Sequence, residues 1–105
     1  MVDAPKLSVL LTTYNGQRYI KETIVSILNQ TYTNFKFLII NDGSKDNTEH
    51  VIHSFNDDRI EYYRTEHNGH ISALNYGLAK CDTEFVSVID HDDIALNNKL
   101  ELQIN

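Results

Sequence analysis

The sequence has one cysteine, one proline and no tryptophan among its 105 residues. A single thiol, Cys81, excludes an internal disulfide framework and is compatible with a reducing compartment. No apolar run approaches the ~18 residues of a membrane-spanning helix, and residues 1–6 lack the apolar stretch of a secretion signal. We therefore expect no transmembrane segment in this chain and a cytoplasmic location, with membrane association only through a missing region or a partner.

Basic residues are also scarce. Nine Lys and Arg stand against fifteen Asp and Glu, which gives a net charge of −6. This balance argues against a nucleic-acid backbone as a partner, and an anionic ligand would need a metal ion or backbone amides to hold it. The length suits a single domain over residues 1–105.

What the sequence does contain is a regular alternation of apolar patterns. Four short apolar runs predict buried strands: Leu7 to Leu11, Phe35 to Ile40, Ile60 to Tyr63 and Phe85 to Ile89. Three stretches with helical spacing lie between them: Ile20, Ile24, Ile27 and Leu28; Thr48, Val51, Ile52 and Phe55; Ile71, Leu74 and Leu78. A last amphipathic stretch carries Leu96, Leu100 and Ile104. The predicted order is β-α-β-α-β-α-β.

This order predicts an α/β fold with a Rossmann-like, mostly parallel sheet and helices on both faces. In such folds ligands bind beyond the carboxyl ends of the strands. A polar segment follows each predicted strand: Thr12 to Asn15, Asn41 to Ser44, Glu66 to His70 and Asp90 to Asp93. We expect all four segments to line one rim of the sheet.

The segment IDHDDI carries three carboxylates in four positions. Alternation along an extended chain puts Asp90 and Asp92 on one side, with His91 on the other. Such a pair at a strand end can hold a hard divalent cation while leaving positions open for phosphate oxygens. The alternative is that Asp92 or Asp93 caps the following helix, although one cap does not explain the remaining carboxylates.

The other rim segments each have two interpretations. Asp42 could accept hydrogen bonds from a base imide or a ribose hydroxyl, or NDGS could be a plain turn. Tyr14 could stack on a flat ring, although Asn15 and the glycine after it also suit an ordinary turn. The HNGH segment could present backbone amides to an anion, or its histidines could be solvated in a loop. Asp46, with a glutamate three residues on, has the spacing of an acidic capping box.

Three segments taken together resemble the N-terminal half of family 2 glycosyltransferases with the GT-A fold: SVLLTTYNGQRYIKETIVSILNQTYTNFKFLIINDGSKDNT, NGHISALNYGLA and FVSVIDHDDIALNNKLELQ. The resemblance runs from about Lys6 to Gln103. It implies binding of a nucleotide-diphosphate sugar, commonly a UDP-sugar, together with Mg²⁺ or Mn²⁺, as in polysaccharide biosynthesis.

The resemblance also implies roles for individual residues. Asp90 to Asp92 matches the family's DxD motif, in which Asp92 would coordinate the metal and Asp90 would contact the ribose or the metal's water shell. Asp42 aligns with the acidic residue that receives uracil, and Thr12 and Tyr14 with the base-binding strand end.

This sequence departs from the family pattern at several points. Asn41 stands where the family often has a first acid, Leu74 where an arginine is frequent, and Asn97 where a proline is common. We expect the family's acceptor-binding half, with its Asp or Glu general base, to lie outside these 105 residues. We therefore expect a donor-binding half that is inactive alone, in a family whose acceptors are sugars or glycolipids, and no catalytic residue can be assigned.

An alternative function belongs to another class. The chain could be a noncatalytic nucleotide-binding module, or one that self-associates into a homo-oligomer through an open sheet edge. A phosphoacceptor receiver domain shares the parallel sheet and acidic rim. It is disfavoured because Asp42 and the final strand do not supply the receiver's acceptor aspartate and late-strand lysine.

Overall fold

The computed structural model describes residues 4–90, with Asp90 described by its backbone. Strands and helices alternate in the predicted order: β1 (Leu7–Thr13), α1 (Ile20–Leu28), β2 (Phe35–Asp42), α2 (Thr48–His53), β3 (Ile60–Thr65), α3 (His70–Lys80) and β4 (Phe85–Asp90). The strands form one parallel sheet in the order β3-β2-β1-β4. The predicted α/β fold class is confirmed.

Side-chain alternation along the strands divides the core into two layers. Strand β1 is buried along its whole length, as expected of a central parallel strand. One layer packs α1 and α2 against the sheet and contains Leu7, Val9, Leu11, Ile20, Ile24, Ile27, Phe35, Phe37, Ile39, Ile52 and Ile89. The other lies under α3 and contains Leu10, Leu38, Ile40 and Ala73. The helices therefore cover both faces of the sheet.

Helix α3 packs through a face that matches the predicted one only at Leu74, which is partly buried against the core. Of the predicted apolar stripe, Ile71 is 70% exposed and Leu78 is 42% exposed, whereas Ala73 and Gly77 are buried. The reason is steric, because a Cβ at Gly77 would lie 2.3 Å from Cδ1 of Leu10. Small residues let the helix backbone approach the sheet, so the larger side chains flank the contact instead of filling it.

The strands run one or two residues past their predicted ends, and this places polar residues inside the sheet. In the parallel register Thr12 lies opposite Asp90, and Asp42 lies opposite Thr65. Strand order changes direction beside β1, since β2 and β3 lie on one side of it and β4 lies on the other. In open α/β sheets such a switch point forms a crevice at the carboxyl ends of the strands.

Within the described residues, the helices are short. The second ends at His53, so the predicted helical residue Phe55 lies beyond it but still packs against the α1 and α2 layer. None of the described helices has the length and hydropathy needed to cross a membrane.

Candidate functional site

The first two loops of the rim are joined by hydrogen bonds. The backbone N–H of Asn15 donates to Oγ of Ser44 at 2.9 Å, and Oδ1 of Asn15 accepts from the N–H of Lys45 at 2.8 Å. Two residues after Asn15, the N–H of Gln17 donates to Oδ2 of Asp46 at 3.2 Å. Asn15 adopts a positive φ of 52°, which asparagine tolerates well. These bonds fix the position of the β1 end relative to the β2 end.

Asp42 lies at the centre of the rim and is 3% exposed. Its Oδ1 accepts from the Thr65 hydroxyl at 2.9 Å and the Asn68 N–H at 3.2 Å, and its Oδ2 accepts from the Gly69 N–H at 3.0 Å. Nδ1 of His67 lies 3.3 Å from Oδ2. Burial raises the pKa of Asp42, but these hydrogen bonds and His67 outweigh it and hold the pKa below its usual value. The carboxylate thus orders the loop between β3 and α3.

Tyr14 does present a face to a flat ring, and in this structure the ring belongs to His67. The two ring centroids lie 3.9 Å apart with an interplanar angle of 19°. Gly43, with φ of 71°, makes this approach possible, because a Cβ there would lie 2.8 Å from the His67 backbone nitrogen. The interpretation of the HNGH histidines as merely solvated is therefore wrong for His67. The amides of this segment do meet an anion, and it is Asp42.

Thr12, on β1, contacts the start of α3. It is 4% exposed, and its Oγ1 lies 3.2 Å from Nδ1 of His70, the first residue of α3. Backbone pairing places Asp90 directly beside it at the end of β4. Asp92 and Asp93 lie outside the described residues, as does the stretch carrying Leu96, Leu100 and Ile104. The structure therefore brings Thr12, Tyr14, Asp42 and the backbone of Asp90 to the same rim.

Asn41 has a structural role. It stands where the family that the sequence resembles often has an acid. Its Nδ2 donates to the Tyr62 hydroxyl at 3.0 Å, and its Oδ1 accepts from the Ser44 N–H at 3.1 Å. The Tyr62 hydroxyl in turn donates to Glu49 at 2.7 Å. The predicted capping box is not formed: Asp46 accepts from the N–H of residue 48 instead of residue 49, and Glu49 accepts from Tyr62 of β3.

A groove of about 440 Å³ lies between the ends of β2 and β3. Its lining comprises Gly43, Lys45, Arg64, Thr65, Glu66 and His67. Arg64 is held in place by donating to the Ser44 carbonyl at 3.0 Å and lies 3.6 Å from Glu49. Two basic side chains, those of Lys45 and Arg64, thus line the groove together with His67.

Carboxylates with lowered pKa values make the stability of the fold acid-sensitive. Burial raises the pKa of Asp46, but bonds from Thr48 and Gln17 lower it overall, and hydrogen bonds from Arg59 lower the pKa of Asp57. A lowered folded-state pKa contributes stability above the unfolded value of about 3.9, and that contribution is lost as pH falls through the folded pKa.

We therefore expect the free energy of unfolding to be flat between about pH 7 and 5 and to fall below about pH 4.5. Urea titrations across this range measure it. An Asp46→Asn variant should show a shallower fall, and a stability that rises on acidification would contradict the assignment.

Among residues 4–90 no group of three or more His, Cys, Asp or Glu side chains is arranged to hold a metal ion. The predicted ligand Asp92 lies outside this range, so the described structure does not test its role. Asp90, by its backbone position, stands at the switch point of the sheet.

The comparison with protein families settles the family. The model of the family described as glycosyl transferase family 2 matches residues 8–105. The chain belongs to this family. Its parallel sheet, with the polar rim at the carboxyl ends of the strands, is therefore the sheet of a family 2 glycosyltransferase domain.

Two curated relatives illustrate how this family 2 chain compares in sequence. An uncharacterized glycosyltransferase of Rickettsia felis is 46% identical over 103 residues, covering 96% of this chain and 17% of the relative. The UDP-Glc:alpha-D-GlcNAc-diphosphoundecaprenol beta-1,3-glucosyltransferase WfgD of Escherichia coli is 37% identical over 100 residues, covering 94% of this chain and 40% of WfgD. The family 2 chain therefore spans less than half the length of either relative.

Solved structures agree with the fold. TarS 1-349 of S. aureus, in complex with UDP-GlcNAc, has a TM-score of 0.87 and 27% identity over 94% of this chain and 30% of that chain. The mannosyltransferase PcManGT of Pyrobaculum calidifontis, in complex with GDP-Man and Mn²⁺, has a TM-score of 0.76 and 25% identity over 86% of this chain and 28% of that chain. The resemblance to GT-A glycosyltransferases is confirmed.

Sequence reasoning missed one member of the rim. His67 contacts both Tyr14 and Asp42, two residues that the sequence had already singled out. Its position in the HNGH segment, two residues before Gly69, was visible in the sequence. The direction of its side chain was not, because that depends on the close approach allowed by Gly43.

Proposed function

We propose that this chain is the donor-binding half of a family 2 glycosyltransferase and binds a UDP-sugar. The observation that carries the proposal is the convergence of Tyr14 and Asp42 at one point of the rim, where Tyr14 stacks on the face of the His67 ring and Asp42 contacts its Nδ1. A ring to stack on and a buried carboxylate to accept an N–H are the two contacts that a pyrimidine imide needs. Thr12 lies two residues before Tyr14, near the end of β1, where it pairs with Asp90 of β4.

The electrostatics of the rim favour this assignment. The lowered pKa of Asp42 keeps the carboxylate ionised at neutral pH, so it can accept from the N3–H of uracil. The N–H groups of guanine could reach a carboxylate in the same way, so UDP and GDP are the two donors to compare. WfgD and the TarS complex carry uridine nucleotides in their names, and the PcManGT complex carries GDP-Man.

The metal in this proposal would be Mg²⁺ or Mn²⁺, with Asp92 as its ligand and Asp90 contacting the ribose or the metal's water shell. Carboxylate oxygens are the ligands that both ions prefer, and the backbone of Asp90 ends β4 next to Thr12 at the switch point. The ion would neutralise charge on the leaving diphosphate. PcManGT, which is similar to this chain, was solved with Mn²⁺.

The reaction in this proposal is transfer of the sugar to an acceptor hydroxyl with inversion at the anomeric carbon. Residues 4–90 contribute the base-binding contacts, and no general base is assigned among them. We propose that residues 1–105 form a single domain and that a C-terminal half supplies the base and the pocket for a sugar or glycolipid acceptor. The 105-residue chain alone is then expected to bind donor and transfer no sugar.

Thermal unfolding of the 105-residue chain tests the proposal. UDP with Mn²⁺ at ~100 times its dissociation constant should add about 2.7 kcal/mol, a shift of several degrees in a domain of this size. The shift should be larger with Mn²⁺ than without it, because the ion would offset the negative charge of the carboxylates and the diphosphate. GDP at the same concentration as UDP should give a smaller shift, because we expect it to bind more weakly.

A pair of matched variants separates the metal site from general charge effects. Asp92→Ala should remove the Mn²⁺-dependent part of the shift, whereas Asp58→Ala, at an exposed position away from the rim, should retain it. A cooperatively folded sample that neither nucleotide stabilises would rule out the proposal.

One observation favours the self-association alternative. Strand β4 lies at an edge of the four-strand sheet formed by the described residues, and Phe85, Val86 and Val88 on it are 44%, 38% and 46% exposed. An apolar edge strand is a template for pairing with another chain. Sedimentation that shows a homo-oligomer disrupted by Val88→Lys, together with no nucleotide binding, would favour the alternative.

A further inference from the structure

His67 makes the two contacts that the proposed function assigns to a nucleobase. Its imidazole lies nearly parallel to the Tyr14 ring, with the centroids 3.9 Å apart. Its Nδ1 points to Oδ2 of Asp42 at 3.3 Å. A stacked flat ring with a ring nitrogen directed at a buried carboxylate is the arrangement expected of bound uracil.

The two rings leave no room for a third between them. At a centroid separation of 3.9 Å the faces of Tyr14 and His67 are already in contact. A base that stacks on this face of Tyr14 and bonds to Asp42 must therefore replace the imidazole.

We propose that His67 is an internal occupant of the base site, which holds the nucleobase position in the nucleotide-free protein and withdraws when UDP binds. This inference rests on the proposed function. His67 thereby sets nucleotide affinity, because only the fraction of molecules with the ring withdrawn can accept a base.

The surrounding contacts allow the side chain to move while the backbone stays in place. Asp42 holds the loop through the N–H groups of Asn68 and Gly69, and the Thr65 hydroxyl fills a further position on the carboxylate. None of these three donors has to move for a base to enter. The His67 side chain is 50% exposed and makes its contact to Asp42 through a rotatable ring.

The structure also offers a place for the withdrawn ring. His67 lines the groove of about 440 Å³ that runs past Lys45 and Arg64. A side-chain rotation would move the imidazole from Tyr14 into this groove, which is large enough for an imidazole. The close contact of Gly43 with the His67 backbone nitrogen would remain.

The test is the dissociation constant of UDP, measured by calorimetry on the full 105-residue chain and its variants. Removing the competing ring with His67→Ala should tighten UDP binding roughly tenfold. His50→Ala, which removes an exposed histidine of α2, should leave the affinity unchanged. In a Tyr14→Ala background the gain from His67→Ala should shrink, because the stacking partner of both rings is absent.

A second measurement detects the withdrawal directly. Ring protons of His67 stacked on Tyr14 should resonate upfield of those of a solvated histidine, and saturation with UDP should move them toward solvated values. Wild type that binds UDP while His67→Ala binds no tighter, with His67 signals unmoved, would overturn this inference and leave the proposed function standing. Failure of both wild type and His67→Ala to bind UDP would reject the proposed function and the inference with it.

Discussion

Replacing Asp42 with alanine should both weaken UDP binding and destabilise the fold. The carboxylate is the proposed acceptor for the base, so its loss should reduce affinity roughly 10- to 100-fold. It also satisfies the Thr65 hydroxyl and the N–H groups of Asn68 and Gly69. Leaving these donors without a partner at a buried position should cost about 2 to 4 kcal/mol of unfolding free energy.

Asp42→Asn separates these two effects. The amide retains one acceptor oxygen and a similar shape, so part of the stability should return. Its NH₂ group, however, would face donors on the loop and the N3–H of uracil, so binding should stay weak. Asp58→Asn, at an exposed position, should change stability by no more than about 0.5 kcal/mol. An Asp42→Ala protein with wild-type affinity would show that the base does not contact this carboxylate.

Replacing Gly77 with valine should destabilise the protein by about 3 kcal/mol, because any side chain at this position would clash with the core beneath the helix. A Cβ there would lie 2.3 Å from Leu10 Cδ1 and 3.1 Å from Ile40 Cγ1, and both of these residues are fully buried. Neither side chain can move into solvent, so α3 must shift away from the sheet. That shift would also disturb His70 at the start of the helix.

Two substitutions in the same helix calibrate this value in urea unfolding. Ala79→Val, at an exposed position, should cost less than about 1 kcal/mol, which reflects helix propensity alone. The loss of unfolding free energy in Gly77→Ala should fall between the losses in these two variants. The methyl group clashes with the sheet, but alanine improves helix propensity by about 1 kcal/mol relative to glycine. A Gly77→Val protein as stable as wild type would contradict the close packing of α3 on Leu10.

The sequence predicted the fold well because the signals for it are local. Buried parallel strands are mostly apolar, and β1 shows this along LSVLL, in which only Ser8 is polar, so strand positions follow from composition. The rim followed from the general rule for the carboxyl ends of parallel strands. The prediction for α3 was wrong for Ile71 and Leu78, which were chosen for their hydrophobicity, because the small residues Ala73 and Gly77 form the closest contact with the sheet.

The candidate site was predictable only in part, for a related reason. Tyr14 and Asp42 could be singled out because each follows a strand, and the structure brings them together. The contact partner that joins them, His67, depends on the positive φ of Gly43 and on a backbone approach of a few ångströms. Such tertiary distances have no signature in residue spacing.

The most direct test of the nucleotide-binding rim is a titration of the ¹⁵N-labelled chain with UDP and Mg²⁺, followed by amide chemical shifts. If UDP binds at this rim, we expect the largest shifts on residues 12–15, 41–46 and 64–70, at the carboxyl ends of β1, β2 and β3. Amides at the opposite ends of the strands, such as those of Leu7 and Phe35, should change little. Saturable shifts centred on those opposite ends, or no shifts at millimolar UDP, would contradict binding at this rim.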